Sequence, residues 1–446
     1  MTGAAAVELR RQLLASGLFD EPFYAAMYGP EVRPGEALLD HFIDAGLGRG
    51  YLPAPDLDPL VYGYLVPESR AAGPLAHCLA SGNVRPTPAL EGLFPACAPR
   101  ALHAAAPSPK DAAYVAACRD YARTAAEPRA LRIDVAGQPR DLEVPDGASF
   151  LDRLQEDRPF AFARLPHGVW DSLVHRDAAA ERLAAEPGLS FLSAVERQTL
   201  ATRVMAAFMP GNGVFCGSFL AELEGLVTAH RGNPAFHRAV AFKGYPTPDE
   251  AIFSGLTAAD QRLVLGQFAR FFQASEKVVD ATLWKRMAIA GTLAALPEQC
   301  RNRHVILVAS DLFRGLDERW ALPRFSHVEI PRSRSHFGRL HLENRIAAVL
   351  AAADPGGPRP IVLTQCGGSL AFWLIARLFR RRPDVFYVDL GQALNAWFLD
   401  VDALTVAPWM LIYRPAILRR DGFAAYYRRR LGPAFPDCLA AFDGPG

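Results

Sequence analysis

The sequence has no arrangement of cysteines that would build a disulfide framework or a zinc site. Its 7 cysteines, at positions 78, 97, 118, 216, 300, 366 and 438, are widely spaced, and no two of them form a CxxC pair. An odd number of scattered cysteines argues against both kinds of site. The pattern therefore predicts a protein of the reducing cytoplasm.

Long apolar runs are missing too. No uninterrupted apolar stretch reaches the ~18 residues that a membrane span needs, and the first residues, "MTGAAAVELRRQLLASG", lack the apolar core of a signal peptide. The segment "VAPWMLIY" (406–413) is short and is predicted to be a buried strand. These features favour a cytoplasmic location, with a peripheral position at the inner membrane as the alternative.

Neither sign of charge prevails, and lysine is scarce. The chain has 48 basic and 47 acidic residues, a net charge of +1, and only 4 of the basic residues are lysines. Nucleic-acid binders usually carry a basic surplus on one face, so no nucleic-acid partner is predicted. Hydrophobic residues make up 50% of the 446 positions. A sizeable core and two or three domains are expected, at roughly 100–200 residues per domain.

The first 90 residues contain a weak internal repeat with a period typical of stacked helical units. Equivalent positions lie 36 to 38 residues apart and pair Asp20 with Asp58, Tyr24 with Tyr62, His41 with His77, and Gly46 with Gly82. Each copy is expected to form two helices joined by a Pro/Gly turn. The two histidines are expected to pack between helices, with metal or ligand binding as the lesser alternative.

This block resembles the short helical repeats that precede many bacterial polysaccharide glycosyltransferases. The resemblance rests on the first copy, through Phe19-Asp20, Phe23-Tyr24, Tyr28, His41-Phe42 and Gly46. It implies a small all-α accessory module over residues 1–90, which would contact a protein partner or the membrane periphery.

Residues 91–148 are predicted to be a linker with one helix and a small hairpin. The stretch up to about 130 is rich in Ala and Pro, and "LRIDVAGQPRDLEV" (131–144) alternates apolar and polar residues on both sides of a Gly-Gln-Pro turn.

From residue 149 to 446, short apolar runs alternate with helical segments. Strands are predicted at 160–165, 213–219, 304–310, 327–331, 360–364, 385–390 and 408–413. Continuous apolar runs between amphipathic helices indicate buried parallel strands. The predicted fold class is α/β, a doubly wound, mostly parallel, Rossmann-like sheet, in which ligands bind beyond the carboxyl ends of the strands.

Two glycines and a serine lie where the strand at 360–364 meets the following helix. Gly367 and Gly368 would let an anion approach the backbone N–H groups at the positive helix end, and Ser369 can donate a hydrogen bond. The alternative is a tight turn without a ligand. The stretch is neither a Walker A loop nor the dinucleotide fingerprint.

Other candidates follow neighbouring strands. Asp389 and Gln392 come just after the strand at 385–390, where a carboxylate can accept a sugar hydroxyl or cap a helix. Arg332, Arg334, Ser335 and His336 follow the strand at 327–331 and form either a diphosphate clamp or a solvated basic loop.

The stretch "FARLPHGVWDSL" (162–173) also runs from a strand through a loop into a helix. Arg164, His167 and Asp171 are predicted to flank a reacting centre, with His167 as a proton carrier and Asp171 as a base or metal ligand. Trp170 is either a stacking platform or a core residue.

Residues 296–395 resemble the GT-D class of bacterial glycosyltransferases. The matching positions are Leu296-Pro297, Arg303, Val305–Val308, Arg314-Gly315, Pro331, Phe337, Gly367, Ala371, and Asp389 with Gly391. The resemblance implies a glycosyltransferase domain that takes a UDP- or GDP-linked sugar as donor and a glycan or glycoconjugate as acceptor.

One departure from that class concerns its divalent metal, Mn or Mg. Family members carry an acidic loop, R–x–G–D–G–E, whereas here Arg164 is followed by Leu165 and then Pro166-His167-Gly168-Val169, with both acids gone. Asp171 can substitute as a metal ligand, or Arg332, Arg334 and His336 can neutralise the diphosphate without metal.

The sequence thus predicts two alternatives. The first is a glycosyltransferase, with His167, Asp171 and His336 as catalytic candidates and Arg164, Arg332, Arg334, Ser335, Gly367, Gly368, Ser369, Asp389 and Gln392 as donor-binding candidates. The second is a catalytically silent relative that scaffolds a polysaccharide assembly complex.

Overall fold

The computed structural model describes residues 3–29, 32–49, 51–54, 68–81, 129–135, 138–144, 147–185, 192–208, 219–240, 266–273, 278–331, 335–353 and 356–398, and positions 57, 59, 62, 63, 66 and 276. The chain divides into two compact units. The helical unit comprises residues 1–100, 172–222 and 333–341, and the sheet unit comprises residues 101–171, 223–332 and 342–446.

The helices are numbered along the chain. They are α1 (Gly3–Ser16), α2 (Glu21–Tyr28), α3 (Leu38–His41), α4 (Ser69–Ala72), α5 (Pro74–Ala80), α6 (Ala148–Gln155), α7 (His167–Ala185), α8 (Ala194–Phe208), α9 (Phe219–Ala229), α10 (Leu283–Ala290), α11 (Leu296–Cys300), α12 (Leu316–Trp320), α13 (Arg339–Ala351) and α14 (Gly368–Arg381). Helix α3 continues into a π turn, Phe42–Gly46, and a 3₁₀ turn, Leu47–Arg49. None of the described helices is both long and apolar enough to cross a membrane.

Within the described residues, the sheet unit contains nine strands. They are β1 (Arg129–Val135), β2 (Gln138–Val144), β3 (Ala161–Leu165), β4 (Phe236–Val240), β5 (Val278–Asp280), β6 (Val305–Ser310), β7 (Phe325–Ile330), β8 (Ile361–Gln365) and β9 (Phe386–Asp389). Their order is β1-β2-β5-β4-β3-β9-β8-β6-β7. The strands from β5 to β7 in this order all run parallel, so their carboxyl ends share one edge.

The sheet is covered on both faces, which explains the continuous apolar runs. On one face, alternate residues such as Val305 and Leu307 join a core with Trp284 of α10 and Trp320 of α12. On the other face, Phe236 of β4 packs against Phe372 and Phe379 of α14. A strand buried on both sides has no room for polar alternation, and all six residues of β6 are buried.

Most of the predicted strands are confirmed, namely those at 160–165, 304–310, 327–331, 360–364 and 385–390. The hairpin at 131–144 is also confirmed as β1 and β2, and β2 pairs in parallel with β5. Of the predicted strand at 213–219 only Phe219 is described, and it begins α9, while 408–413 lies outside the described residues. The domain boundaries at 90 and 148 stay predictions.

The helical unit confirms the packing role expected for the repeat histidines. Tyr24 Oη is 2.9 Å from His41 Nδ1, and Tyr62 Oη is 2.9 Å from His77 Nδ1. Asp20 caps the start of α2, because its carboxylate accepts the Phe23 N–H at 2.9 Å. The aligned Tyr–His pairs therefore form the same hydrogen bond in both copies of the repeat.

Candidate functional site

The main candidate site residues lie at the ends of three neighbouring strands, at one edge of the sheet. Strands β3, β9 and β8 lie side by side and run parallel. Thr364 of β8 pairs in register with Asp389 at the end of β9. Arg164, Asp389 and the Gly367–Ser369 turn therefore all lie at the carboxyl edge, where ligands of open α/β sheets bind.

The two consecutive glycines of the turn are there for different reasons. A Cβ on Gly368 would overlap the ring of Pro166, which follows β3. Gly367 instead has φ +84° and only open space where a Cβ would be, and it is exposed. Gly368 thus permits close packing of the two turns, whereas Gly367 gives the chain a left-handed turn next to solvent.

Helix α14 begins at this turn without a side-chain cap. The first intrahelical bond runs from the Ala371 N–H to the Gly367 carbonyl at 2.9 Å. The N–H groups of Gly368, Ser369 and Leu370 precede it and have no intrahelical acceptor. A helix of this length adds a positive partial charge at this end, so the turn favours an anion.

Asp389 is buried at the end of β9, with a side chain only 2% exposed. Its Oδ1 accepts the Gly391 N–H at 3.0 Å, while Oδ2 accepts no hydrogen bond of normal geometry from the described residues. Burial raises the pKa of this carboxyl, and the Arg164 charge opposes the rise. Asp389 therefore holds the turn after β9 through the Gly391 N–H, and the 3₁₀ segment that follows, Gly391–Trp397, has no side-chain cap.

The Arg164 side chain packs against the turn that follows β9. Its Nη1 lies 3.8 Å from Asp389 Oδ1, and its guanidinium occupies the space where a Cβ of Gly391 would be. The Nε atom is buried and has no hydrogen-bond partner among the described residues. The arginine is thus seated against the Asp-x-Gly turn, with hydrogen-bonding capacity to spare.

Two further side chains at this edge were not predicted from the sequence as site residues. Lys285 of α10 is buried and its Nζ donates to Gln392 Oε1 at 3.2 Å. Gln365 Nε2 donates to Asn395 Oδ1 at 2.6 Å across the strand end. The scarcity of lysine and the place of Lys285 in the first turn of a helix after β5 were the only local signals.

The remaining predicted residues are placed as follows. His167 begins α7 directly after β3 and Asp171 lies one turn later, but their side chains are outside the described part of the structure. Trp170 is a core residue and its predicted stacking role is wrong: it is 1% exposed, donates to the Leu165 carbonyl at 3.0 Å and packs against Phe268, Phe271 and Phe272.

The basic loop is only partly described. Arg332 and Arg334 lie outside the described residues. Ser335 and His336 form the start of a 3₁₀ turn, Ser335–Gly338, which contacts α2. They belong to the helical unit, whereas Arg164, the glycine turn, Asp389 and Gln392 belong to the sheet unit.

The described side chains do not fit a divalent metal. No three His, Cys, Asp or Glu residues lie close enough together within the described ranges to hold one. The turn after β3, Pro166-His167-Gly168-Val169, supplies no carboxylate.

Comparison with known proteins yields no relative. No family model matches the chain, and neither a curated protein nor a solved structure matches it. The assignment of a function therefore depends on the site itself.

Proposed function

We propose that the sheet unit binds the diphosphate of a nucleotide sugar at the Gly367 turn and transfers the sugar to a bacterial glycan or glycoconjugate. The observation that carries this proposal is the open, left-handed Gly367 at the N-terminus of α14, on the same sheet edge as Arg164. Together with this function we propose that the Rossmann-like sheet has the GT-D fold.

Positioning and charge stabilisation supply the chemistry. In the transfer the bond between the anomeric carbon and the diphosphate oxygen breaks, and a bond to an acceptor hydroxyl oxygen forms. The departing diphosphate gains negative charge, which helix N–H groups and an arginine stabilise. The hydroxyl proton passes to a base, for which His167 and Asp171 of the sheet unit are the candidates proposed from the sequence.

Titration calorimetry with UDP and GDP tests the proposal. We expect the wild-type protein to bind one of them and Gly367→Ala to bind it about 10-fold more weakly or worse, because the left-handed turn resists a side chain. Gly315→Ala is the control, since Gly315 also has a positive φ (+80°), also precedes a helix and also faces open space, while its ψ is 16° compared with 136° at Gly367. Gly315→Ala should lose about 1 kcal/mol of stability. Gly367→Ala should lose about 1–3 kcal/mol, because its ψ of 136° lies outside the left-handed helical region, but only Gly367→Ala should lose affinity.

The second candidate function is a silent scaffold, favoured by the missing acids of the turn after β3. This alternative would be supported if the protein binds a nucleotide sugar but does not consume it in the presence of a range of acceptors. Failure of the folded wild-type protein to bind either nucleotide would reject the proposed transferase.

A further inference from the structure

We infer that Arg164 is the oxyanion-binding group of this site, and that Asp389 and Gly391 form its seat and do not contact the ligand directly. The inference deepens the proposed function and rests on it for the identity of the ligand. It assigns the Asp-x-Gly turn after β9 to holding an arginine, not to accepting a sugar hydroxyl.

The seat is defined by two contacts. The guanidinium lies against the Cα of Gly391, so that any side chain at that position would displace it. Asp389 lies behind it, with Nη1 of Arg164 at 3.8 Å from Oδ1. At this distance the carboxylate attracts the guanidinium without forming a hydrogen bond, so it orients the arginine and leaves its N–H groups unused.

The unused donors distinguish Arg164 from two buried arginines of the sheet unit, Arg238 and Arg303. Arg238 donates to the carbonyls of Val227 and Phe271, both at 2.9 Å, and pairs with Glu276. Arg303 donates to Asp157, Leu154 and Arg359. The Arg164 guanidinium, in contrast, forms no hydrogen bond within the described ranges and its Nε is buried.

Buried guanidinium donors without acceptors are rare in proteins, and each such group calls for a partner. The planar array of N–H groups on the Arg164 guanidinium matches two oxygens of a phosphate better than any neutral acceptor. The side chain is 16% exposed, so an anion can reach its outer edge from the carboxyl side of the sheet. A phosphate oxyanion is therefore the ligand class that this seat fits.

Asp389 itself is poorly placed to contact a ligand. Its side chain is only 2% exposed, and Oδ1 already accepts the Gly391 N–H. The same residue pair thus explains both the turn and the orientation of Arg164. Asp389 is a positioning residue in this assignment.

Calorimetric titration with inorganic pyrophosphate tests Arg164 directly. Arg164→Gln should lower pyrophosphate affinity about 10-fold or more, and Arg164→Lys should retain part of it because the charge remains. Circular dichroism establishes that each variant is folded, and the lysine variant keeps the test decisive if the glutamine variant does not fold. Unchanged affinity in a folded variant, or no pyrophosphate binding by the wild type, would overturn the inference.

The seat is tested with Gly391→Ala, which displaces the guanidinium while leaving its charge in place. Its matched control is Gly291→Ala. Gly291 also has a positive φ, which is +80° compared with +53° for Gly391, but a Cβ at Gly291 would meet only open space. We expect pyrophosphate affinity to fall about 10-fold for Gly391→Ala and to stay the same for Gly291→Ala. Equal effects of the two substitutions would show that backbone strain, not the arginine, is responsible.

Asp389→Asn separates the two roles of this carboxylate. A positioning role predicts that the affinities for pyrophosphate and for UDP or GDP change by the same factor. Direct contact with a sugar hydroxyl predicts that only nucleotide affinity falls, and this result would contradict the assignment.

The inference and the proposed function fail in different ways. If Arg164→Gln abolishes pyrophosphate binding but no nucleotide binds the wild type, the oxyanion site stands and the transferase proposal falls. If nucleotides bind equally well to wild type and Arg164→Gln, the transferase proposal survives and the assignment of Arg164 falls.

Discussion

At the scale of single residues, His237 in β4 shows how a titratable side chain is held neutral. Its Nε2 lies 2.8 Å from Nη1 of Arg153, and because arginine can only donate, Nε2 accepts and the ring proton lies on Nδ1. The ring also packs edge-on against Phe150 at 5.0 Å. Burial, and then the Arg153 charge, lower the pKa of His237 from 6.5 to about 4.

A pH dependence of stability follows from this lowered pKa. Below pH ~6.5 the unfolded chain takes up a proton that the folded protein resists, so stability should fall between pH ~6.5 and pH ~4. From pH 7 to pH 5 the loss should be about 2 kcal/mol. Urea unfolding at the two pH values, with wild type and His237→Asn, measures it. Equal losses for the two proteins would show that His237 is not the group responsible.

At the scale of elements, the same tyrosine–histidine hydrogen bond recurs in both copies of the helical repeat. Tyr24 is fully buried and His41 is 4% exposed, so their hydrogen bond is shielded from water. In the second copy His77 is only partly buried, and the Tyr62 hydroxyl also lies 3.4 Å from Ser81 Oγ. The two equivalent bonds therefore differ in what their loss would expose.

Removing the two hydroxyls should have unequal effects. Tyr24→Phe leaves the buried His41 Nδ1 without this partner and should cost about 1–3 kcal/mol of stability. Tyr62→Phe should cost about 1 kcal/mol or less, since water can reach His77. Thermal unfolding of the two single variants provides the comparison. A larger effect of Tyr62→Phe would contradict the account of this contact.

Helices α13 and α14 are joined by one buried acid. The Glu343 side chain is 2% exposed and pairs with Arg377 at 2.7 Å and with Arg381 at 3.1 Å. Arg381 is 54% exposed, so its charge remains well solvated without the acid. The pairing is therefore asymmetric: the buried glutamate depends on the arginines for its stabilisation, whereas Arg381 does not depend on the glutamate.

Stability should follow this asymmetry. Glu343→Ala removes both ion pairs and a buried side chain and should cost about 2–4 kcal/mol, while Arg381→Ala should cost less than about 1 kcal/mol. Denaturant midpoints of the two variants test the difference. Similar midpoints would mean that the buried carboxylate contributes no more than a surface charge.

At the scale of the whole molecule, the sequence predicted the strands with a clear apolar run or alternation, including the partly exposed β7, and missed β4 and β5. Strand β6 was visible because every one of its residues is buried. Strand β4 was missed because His237 and Arg238 interrupt its apolar run, and they are accommodated by Arg153 and Glu276, which local sequence does not reveal. Strand β5 is only three residues long.

The candidate site was predictable as an edge but not as a set of contacts. Parallel strands bring their carboxyl ends together, so the grouping of Arg164, Gly367 and Asp389 could be inferred from the strand pattern. The different roles of Gly367 and Gly368 could not, because they depend on Pro166, which is remote in sequence. The same holds for the contact between Lys285 and Gln392.

The most direct test of the central claim is the response of the backbone amides of the Gly367 turn to a nucleoside diphosphate. In protein labelled with ¹⁵N at glycine, titration with UDP or GDP should shift the Gly368 amide resonance, because its N–H would donate to a phosphate oxygen. Inorganic pyrophosphate should shift it in the same way, and Gly315 should not respond. If the nucleotide shifts other glycine resonances while that of Gly368 stays in place, the phosphate site lies elsewhere and the account is wrong.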